Sequence, residues 1–134
     1  VQKGGKAAIS DVLAYAEPVH TKGLNLLYGP GNDLVSSTNL TAAGCTVILF
    51  TTGRGTPFGA PAPVAKIATN DRLAERKANW IDFNAGPVAS QGESVDDAGR
   101  RLLDLVKEIA SGKKTKAEQN GFREISIFKD GVVL

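Results

Sequence analysis

The sequence predicts an α/β fold, a three-layer Rossmann-like sandwich around a mostly parallel sheet of about five strands. Short apolar runs such as Val47-Ile48-Leu49-Phe50 open abruptly into Gly, Thr, Asn or Asp, as buried strands of an open sheet do. Those runs alternate with segments of helical period, clearest at Val95–Ile109. Asn-Asp pairs stand at the turn from strand to helix, where a side-chain oxygen caps exposed amides. Right-handed parallel crossovers would then bring several polar strand ends to one edge.

The first element expected is a short amphipathic helix over Ala8–Ala16, with Ile9, Val12, Leu13 and Ala16 at helical spacing and Pro18 as its stop. Leu24–Tyr28 reads as a strand that runs into Gly29-Pro30-Gly31-Asn32-Asp33. A helix over Leu34–Ala43 follows, ended by Gly44; capping is the favoured role of Asp33. Thr46–Phe50 is the next strand, and Pro57, Pro61 and Pro63 keep the segment after it extended. Val64–Ala68 is a strand and Thr69-Asn70-Asp71 caps a helix over Arg72–Lys77.

Trp80–Asn84 alternates as a strand, with Ala85-Gly86-Pro87 closing it. Ser94-Val95-Asp96-Asp97 resembles a capping box, and the helix after it places Asp97–Arg101 and Arg100–Asp104 at i,i+4 spacing. Ser111-Gly112 ends that helix, and Lys113-Lys114-Thr115-Lys116 reads as a solvated linker. Glu124–Phe128 is the last strand, with Asp130-Gly131 a turn into Val132-Val133-Leu134.

The chain has 134 residues, which fits a single α/β domain over 1–134. Its charge of +2 is spread along the chain, which argues against nucleic acid as a partner. One cysteine, Cys45, excludes an internal disulfide and fits a reducing compartment. The lone histidine, His20, cannot build a His/Cys metal cluster. No run reaches membrane-spanning length, so no membrane partner is expected. The absence of methionine and the linker-like start Val1-Gln2-Lys3-Gly4-Gly5-Lys6 suggest a piece of a longer polypeptide or a processed one.

The stretch Leu49-Phe50-Thr51-Thr52-Gly53-Arg54-Gly55-Thr56-Pro57-Phe58-Gly59 is the centre of the functional reading. Its glycines admit a ligand close to the backbone, its threonines offer hydroxyls, and Arg54 offers a planar fork for a carboxylate or phosphate. The alternative is a surface turn with a solvated arginine. Four loops, Gly29–Asp33, Thr51–Gly59, Thr69–Asp71 and Asn84–Gly86, are expected to share one edge and form a polar pocket. Asp82 and Lys66 are ionisable groups within strands; binding loop amides and snorkelling are their plain structural roles. Gly53-x-Gly55-x-x-x-Gly59 is one residue too long for a dinucleotide fingerprint, which disfavours a nucleotide-binding module. No phosphate-binding loop, nucleophile elbow or His-Glu-x-x-His helix is present.

At Gly29–Asp33, Leu49–Gly59, Lys66–Asn70 and Trp80–Gly86 the sequence resembles the galactarate/altronate dehydratase family, matching its C-terminal domain. The resemblance runs from about residue 10 to the closing Ile127–Leu134. The Trp80–Gly86 and Phe128–Gly131 motifs look nearer the galactarate branch than the altronate branch. The resemblance implies a cytoplasmic hydro-lyase that dehydrates a sugar acid, galactarate first and altronate next, to a 2-keto-3-deoxy acid. It implies divalent iron or manganese, with ligands outside this chain, and N-terminal and central domains ahead of it. Other copies of the protein, in a homo-oligomer, are a further expected partner. On this reading Arg54 clamps the substrate carboxylate. Asn32, Asp33, Thr51, Thr52, Gly53, Gly55, Thr56, Thr69, Asn70 and Asn84 bind the rest of the sugar acid, and Asp82 or Lys66 assists proton transfer. The competing expectation is a non-catalytic assembly domain of the same enzyme.

Overall fold

The computed structural model describes residues 5–127, which gather into two compact units. One runs up to Cys45 and resumes at Ile125; the other is Thr46–Glu124.

In the first unit, β1 (Ile9–Leu13) pairs in parallel with β2 (Leu24–Leu27), with Leu13 opposite Leu27 and an irregularity between Ile9 and Asp11. The helix expected over Ala8–Ala16 is therefore a strand. A helix that short gains little by itself. Ile9 and Val12 favour extended backbone, and the ladder to β2 satisfies that backbone directly. α1 (Asp33–Ala42) follows, and its N-cap is Asn32, whose Oδ1 accepts from the amides of Leu34 and Val35 at 3.2 Å each. Asp33 is the first helical residue rather than the cap.

Asn39 of α1, only 3% exposed, joins the ends of both strands. Its Nδ2 donates to the Tyr28 carbonyl at 3.0 Å, and its Oδ1 accepts from the Ala16 amide at 2.7 Å. The chain returns to this unit at its far end, where the Ser126 amide donates to Thr38 Oγ1 at 3.1 Å. Residues 124–127 are not a strand. Phe128 and the Asp130-Gly131 turn into Val132–Leu134 lie outside the described residues.

The second unit holds a three-stranded parallel sheet in the order β3 (Ile48–Thr52), β4 (Val64–Ala68), β5 (Phe83–Asn84). Central β4 is buried at every position, which suits its mostly small apolar residues on either side of one buried lysine, Lys66. α2 (Asp71–Arg76) connects β4 to β5, and Leu73 packs with Ala68 and Ile81. α3 (Pro87–Ser90), α4 (Val95–Ala110) and α5 (Lys116–Gln119) complete the unit.

Every strand pair among the described residues is parallel, yet the five strands form sheets of two and three rather than one sheet of five. The α/β class holds in this smaller form. β5 keeps only the last two residues of the expected strand, because the backbone before it continues the end of α2. There, the amides of Trp80 and Ile81 donate to the Lys77 carbonyl at 2.8 and 3.1 Å.

Two other expectations change at α4 and α5. Arg100 pairs with Asp97 at 2.6 Å and Lys107 with Asp104 at 3.1 Å, both i,i+3, in place of the i,i+4 pairs. Arg101 turns away from Asp97 to Glu93, bonding it through Nε and NH2 at 2.7 Å each, and lies 4.6 Å over the Phe83 ring. The supposed linker contains a capping box. Buried Thr115 accepts from the Glu118 amide, and the Glu118 carboxylate accepts from the Thr115 amide at 2.9 Å.

Candidate functional site at the strand ends of the second unit

β3, β4 and β5 run the same way, so their carboxyl ends share one edge, and the polar residues after each strand meet there. The Thr69 amide and hydroxyl both donate to the Thr52 carbonyl, at 3.1 and 3.3 Å. Asn70 caps α2 by accepting from the Leu73 amide at 2.9 Å, and its Nδ2 donates to the Gly53 carbonyl at 3.3 Å. Thr52 Oγ1 accepts from the Gly55 amide at 2.9 Å. Gly55 has φ +79°, so the turn needs glycine there, and a Cβ would meet Leu73 and Lys77 at 3.0 Å. Lys77 Nζ donates to the Arg54 carbonyl at 2.9 Å while lying 4.6 Å over the Trp80 ring.

The backbone around Arg54 is thus held from three sides, while its exposed guanidinium bonds no described residue. Thr51, at the end of β3, and Thr69 border an apolar cleft under α4 of about 440 Å³. Thr56 follows the turn half-buried.

Asn84 is tied into a second polar group. Its Nδ2 donates to Asp71 Oδ1 at 2.7 Å and its Oδ1 accepts from the Gly86 amide at 2.8 Å. Ser90 donates to the other Asp71 oxygen. These bonds, Ser90 first and Asn84 second, hold the Asp71 carboxyl below its ordinary range. Gly86 is required here, because a Cβ would come within 2.4 Å of the Asp71 amide.

Lys66 and Asp82 sit further down the sheet. Lys66 is 1% exposed; its Nζ donates to the Phe58 carbonyl and lies 4.8 Å over the Phe58 ring. Asp82 pairs with Lys66 as a strand neighbour would, but with its side chain in the carbonyl's role. The Asp82 amide donates to Lys66 O at 2.9 Å, and Asp82 Oδ2 accepts from the Lys66 amide at 2.8 Å. Oδ1 accepts from the Lys116 amide at 2.7 Å. Glu124 accepts from the Gly59 amide at 2.7 Å. Burial pushes the Lys66 ammonium down in pKa, opposed by Asp82 and Glu124. Burial pushes Asp82 up, opposed by the bonds from Lys66 and Lys116. Lys66 and Glu124 thus hold the Phe58–Gly59 stretch of the connection between β3 and β4, while Asp82 ties β4 to the start of α5.

Of the residues marked out by sequence, Gly53, Arg54 and Asn70 line one cavity, Thr51 and Thr69 border the apolar cleft under α4, and Asn84 lines a third space with Glu93 and Arg101, although all of them, with Thr52 and Gly55, stand at the strand ends of this unit. Asn32 and Asp33 belong to the other unit. Sequence reasoning passed over Arg72, Arg76 and Lys77, which line with Gly53, Arg54, Asn70 and Leu73 a cavity of about 350 Å³. The available signal was two arginines at i,i+4 just after a capped strand end.

Among the described residues, no three His, Cys, Asp or Glu side chains gather as a metal site. Both oxygens of Asp82 and of Asp71 are already engaged. These residues do not fit a divalent iron or manganese ion. No helix among the described residues is long and apolar enough to cross a membrane.

A family model described as D-galactarate/Altronate dehydratase, C-terminal, matches residues 1–133. An altronate dehydratase of Bacillus subtilis (strain 168) is 50% identical over 133 residues, which are 99% of this chain and 27% of that protein. An altronate dehydratase of Escherichia coli (strain K12) is 49% identical over the same shares. The galactarate dehydratase (L-threo-forming) of Escherichia coli (strain K12) is 39% identical over 136 residues, 99% of this chain and 26% of that protein. The chain thus spans about a quarter of the length of these relatives. Identity is higher to the altronate enzymes, so the leaning of Trp80–Gly86 toward the galactarate branch does not extend over the chain.

Proposed function

This chain belongs to the D-galactarate/altronate dehydratase family, as its C-terminal part, and from that membership we propose that it supplies the substrate-binding loops of a sugar-acid hydro-lyase. The substrate is a sugar acid, with altronate at least as well supported as galactarate by the relatives' names and identities. Dehydration takes a proton from the carbon beside a carboxylate and expels the hydroxyl on the next carbon, leaving an enol that becomes the 2-keto-3-deoxy acid. The site must fix that carboxylate, orient the hydroxyls and hold charge on the enolate as it forms.

Arg54 grips the carboxylate through its two-pronged guanidinium. Gly53, Gly55 and Thr56 let the acid approach the turn closely. Thr51, Thr52, Thr69, Asn70 and Asn84 orient its hydroxyls. Lys66 acts from below by holding the Phe58 carbonyl, and Asp82 by tying β4 to the start of α5, which supports a positioning role for both. The iron or manganese that the resemblance implies takes its ligands from outside the described residues.

The observation that carries this reading is a guanidinium without a described partner, on a turn locked by Thr52, Asn70 and Lys77, where parallel strands end. The test is Arg54→Ala in the full-length protein, assayed for 2-keto-3-deoxy acid from altronate and from galactarate. Losing two charge-assisted hydrogen bonds, worth about 3 kcal/mol together, should lower kcat/KM by roughly a hundredfold with unfolding unchanged. Turnover close to that of the unaltered protein rejects the role.

A further inference from the structure

We propose that the cavity between the Gly53–Arg54 turn and α2 binds a compact oxyanion carrying two or more negative charges, held by Arg54, Arg72, Arg76 and Lys77. Four cationic side chains line this one space of about 350 Å³, and no carboxylate does. The guanidinium groups of Arg54, Arg72 and Arg76 form no ion pair or hydrogen bond with any described residue.

The nearby acids are committed elsewhere. Asp71 bonds Asn84 and Ser90, Asp82 bonds backbone amides, and exposed Glu75 does not line the cavity. Like charges gathered without counter-charge repel one another. A bound anion removes that repulsion, and each guanidinium matches the flat pair of oxygens on a carboxylate or phosphate. A single carboxylate would leave most of the positive charge unanswered, so the ligand is at least a dianion. Lys77 is already anchored by the Arg54 carbonyl and the Trp80 ring, and Asn70 and Gly53 add polar contacts at the mouth. The volume is near the lower limit for small-molecule pockets, which suits a phosphate or a short dicarboxylate rather than a nucleotide.

This goes beyond the sugar-acid reading, which uses Arg54 alone among the four cations. The experiment is isothermal titration calorimetry on the full-length protein, with inorganic phosphate, succinate and lactate as probes. At least one dianion should bind roughly tenfold or more tightly than lactate, and Arg72→Gln with Arg76→Gln should weaken it by at least about tenfold. Binding of phosphate alone or of succinate alone identifies which source of paired oxyanions the pocket takes. If neither dianion surpasses lactate, or the double variant binds like the unaltered protein, the site is refuted. Arg54 is shared by both readings, so the anion site is judged on Arg72→Gln with Arg76→Gln, which leaves Arg54 in place, and the sugar-acid clamp on the dehydration assay of Arg54→Ala.

Discussion

Asp82→Asn tests how the sheet is held beneath the strand-end site. The carboxylate accepts two backbone amides, from Lys66 at 2.8 Å and Lys116 at 2.7 Å. Asparagine keeps the shape but offers one acceptor, so its amino group must face one of those N–H donors. One hydrogen bond to a charged acceptor, about 1.5–3 kcal/mol, is lost, and a buried N–H left unpaired costs about 1–3 kcal/mol more. Part of this is returned, because the variant no longer buries an ionised carboxyl. The net expected loss is about 2–4 kcal/mol.

Urea denaturation followed by the fluorescence of the lone tryptophan, Trp80, reads the change as a shift in midpoint at constant slope. The pH dependence gives a second check. Burial raises the Asp82 pKa above its ordinary 3.8. An acid with a raised folded pKa contributes stability that is fully present below its unfolded pKa and is lost as pH rises through the folded one. The stability gap between the unaltered protein and the variant should therefore narrow as pH rises from below 3.8 through that raised value. A loss below about 0.5 kcal/mol, or a gap that widens with pH, refutes the assignment of Asp82 as the tie between β4, β5 and α5.

Gly59→Ala should be severe, because a Cβ there would lie 2.0 Å from the Phe122 carbonyl oxygen and 2.6 Å from its carbon. The backbone must move, which endangers the bond from the Gly59 amide to Glu124; a loss of at least about 2 kcal/mol in the same urea assay is expected. Asn32→Ala removes the cap of α1 and should cost about 1 kcal/mol, read as faster amide hydrogen exchange at Leu34 and Val35. If those amides exchange unchanged, the cap carries no weight.

What the sequence made legible follows from local physics. β4 coincides with its apolar run Val64–Ala68, and α4 with its strong helical period behind the Ser94 cap. Asn70 was legible as a cap because its chemistry is local. β1 was misread because Ile9, Val12, Leu13 and Ala16 satisfy a helical period while the deciding ladder comes from residues 24–27. α5 was hidden under a basic run, although Thr115 and Glu118 carried a capping box in plain view. Nothing local reveals that the Asp82 side chain would take the place of a strand carbonyl, since its partners are 16 and 34 residues away. The cationic cavity escaped for the same reason: Arg54 and Arg76 become neighbours only when β3 and β4 pair.

The most direct test is a crystal structure of the full-length protein with a bound sugar acid. The acid's carboxylate is expected within hydrogen-bonding distance of the Arg54 guanidinium, with its hydroxyls against Thr69 and Asn70. A sugar acid held wholly by other residues, with Arg54 still facing solvent, would contradict it.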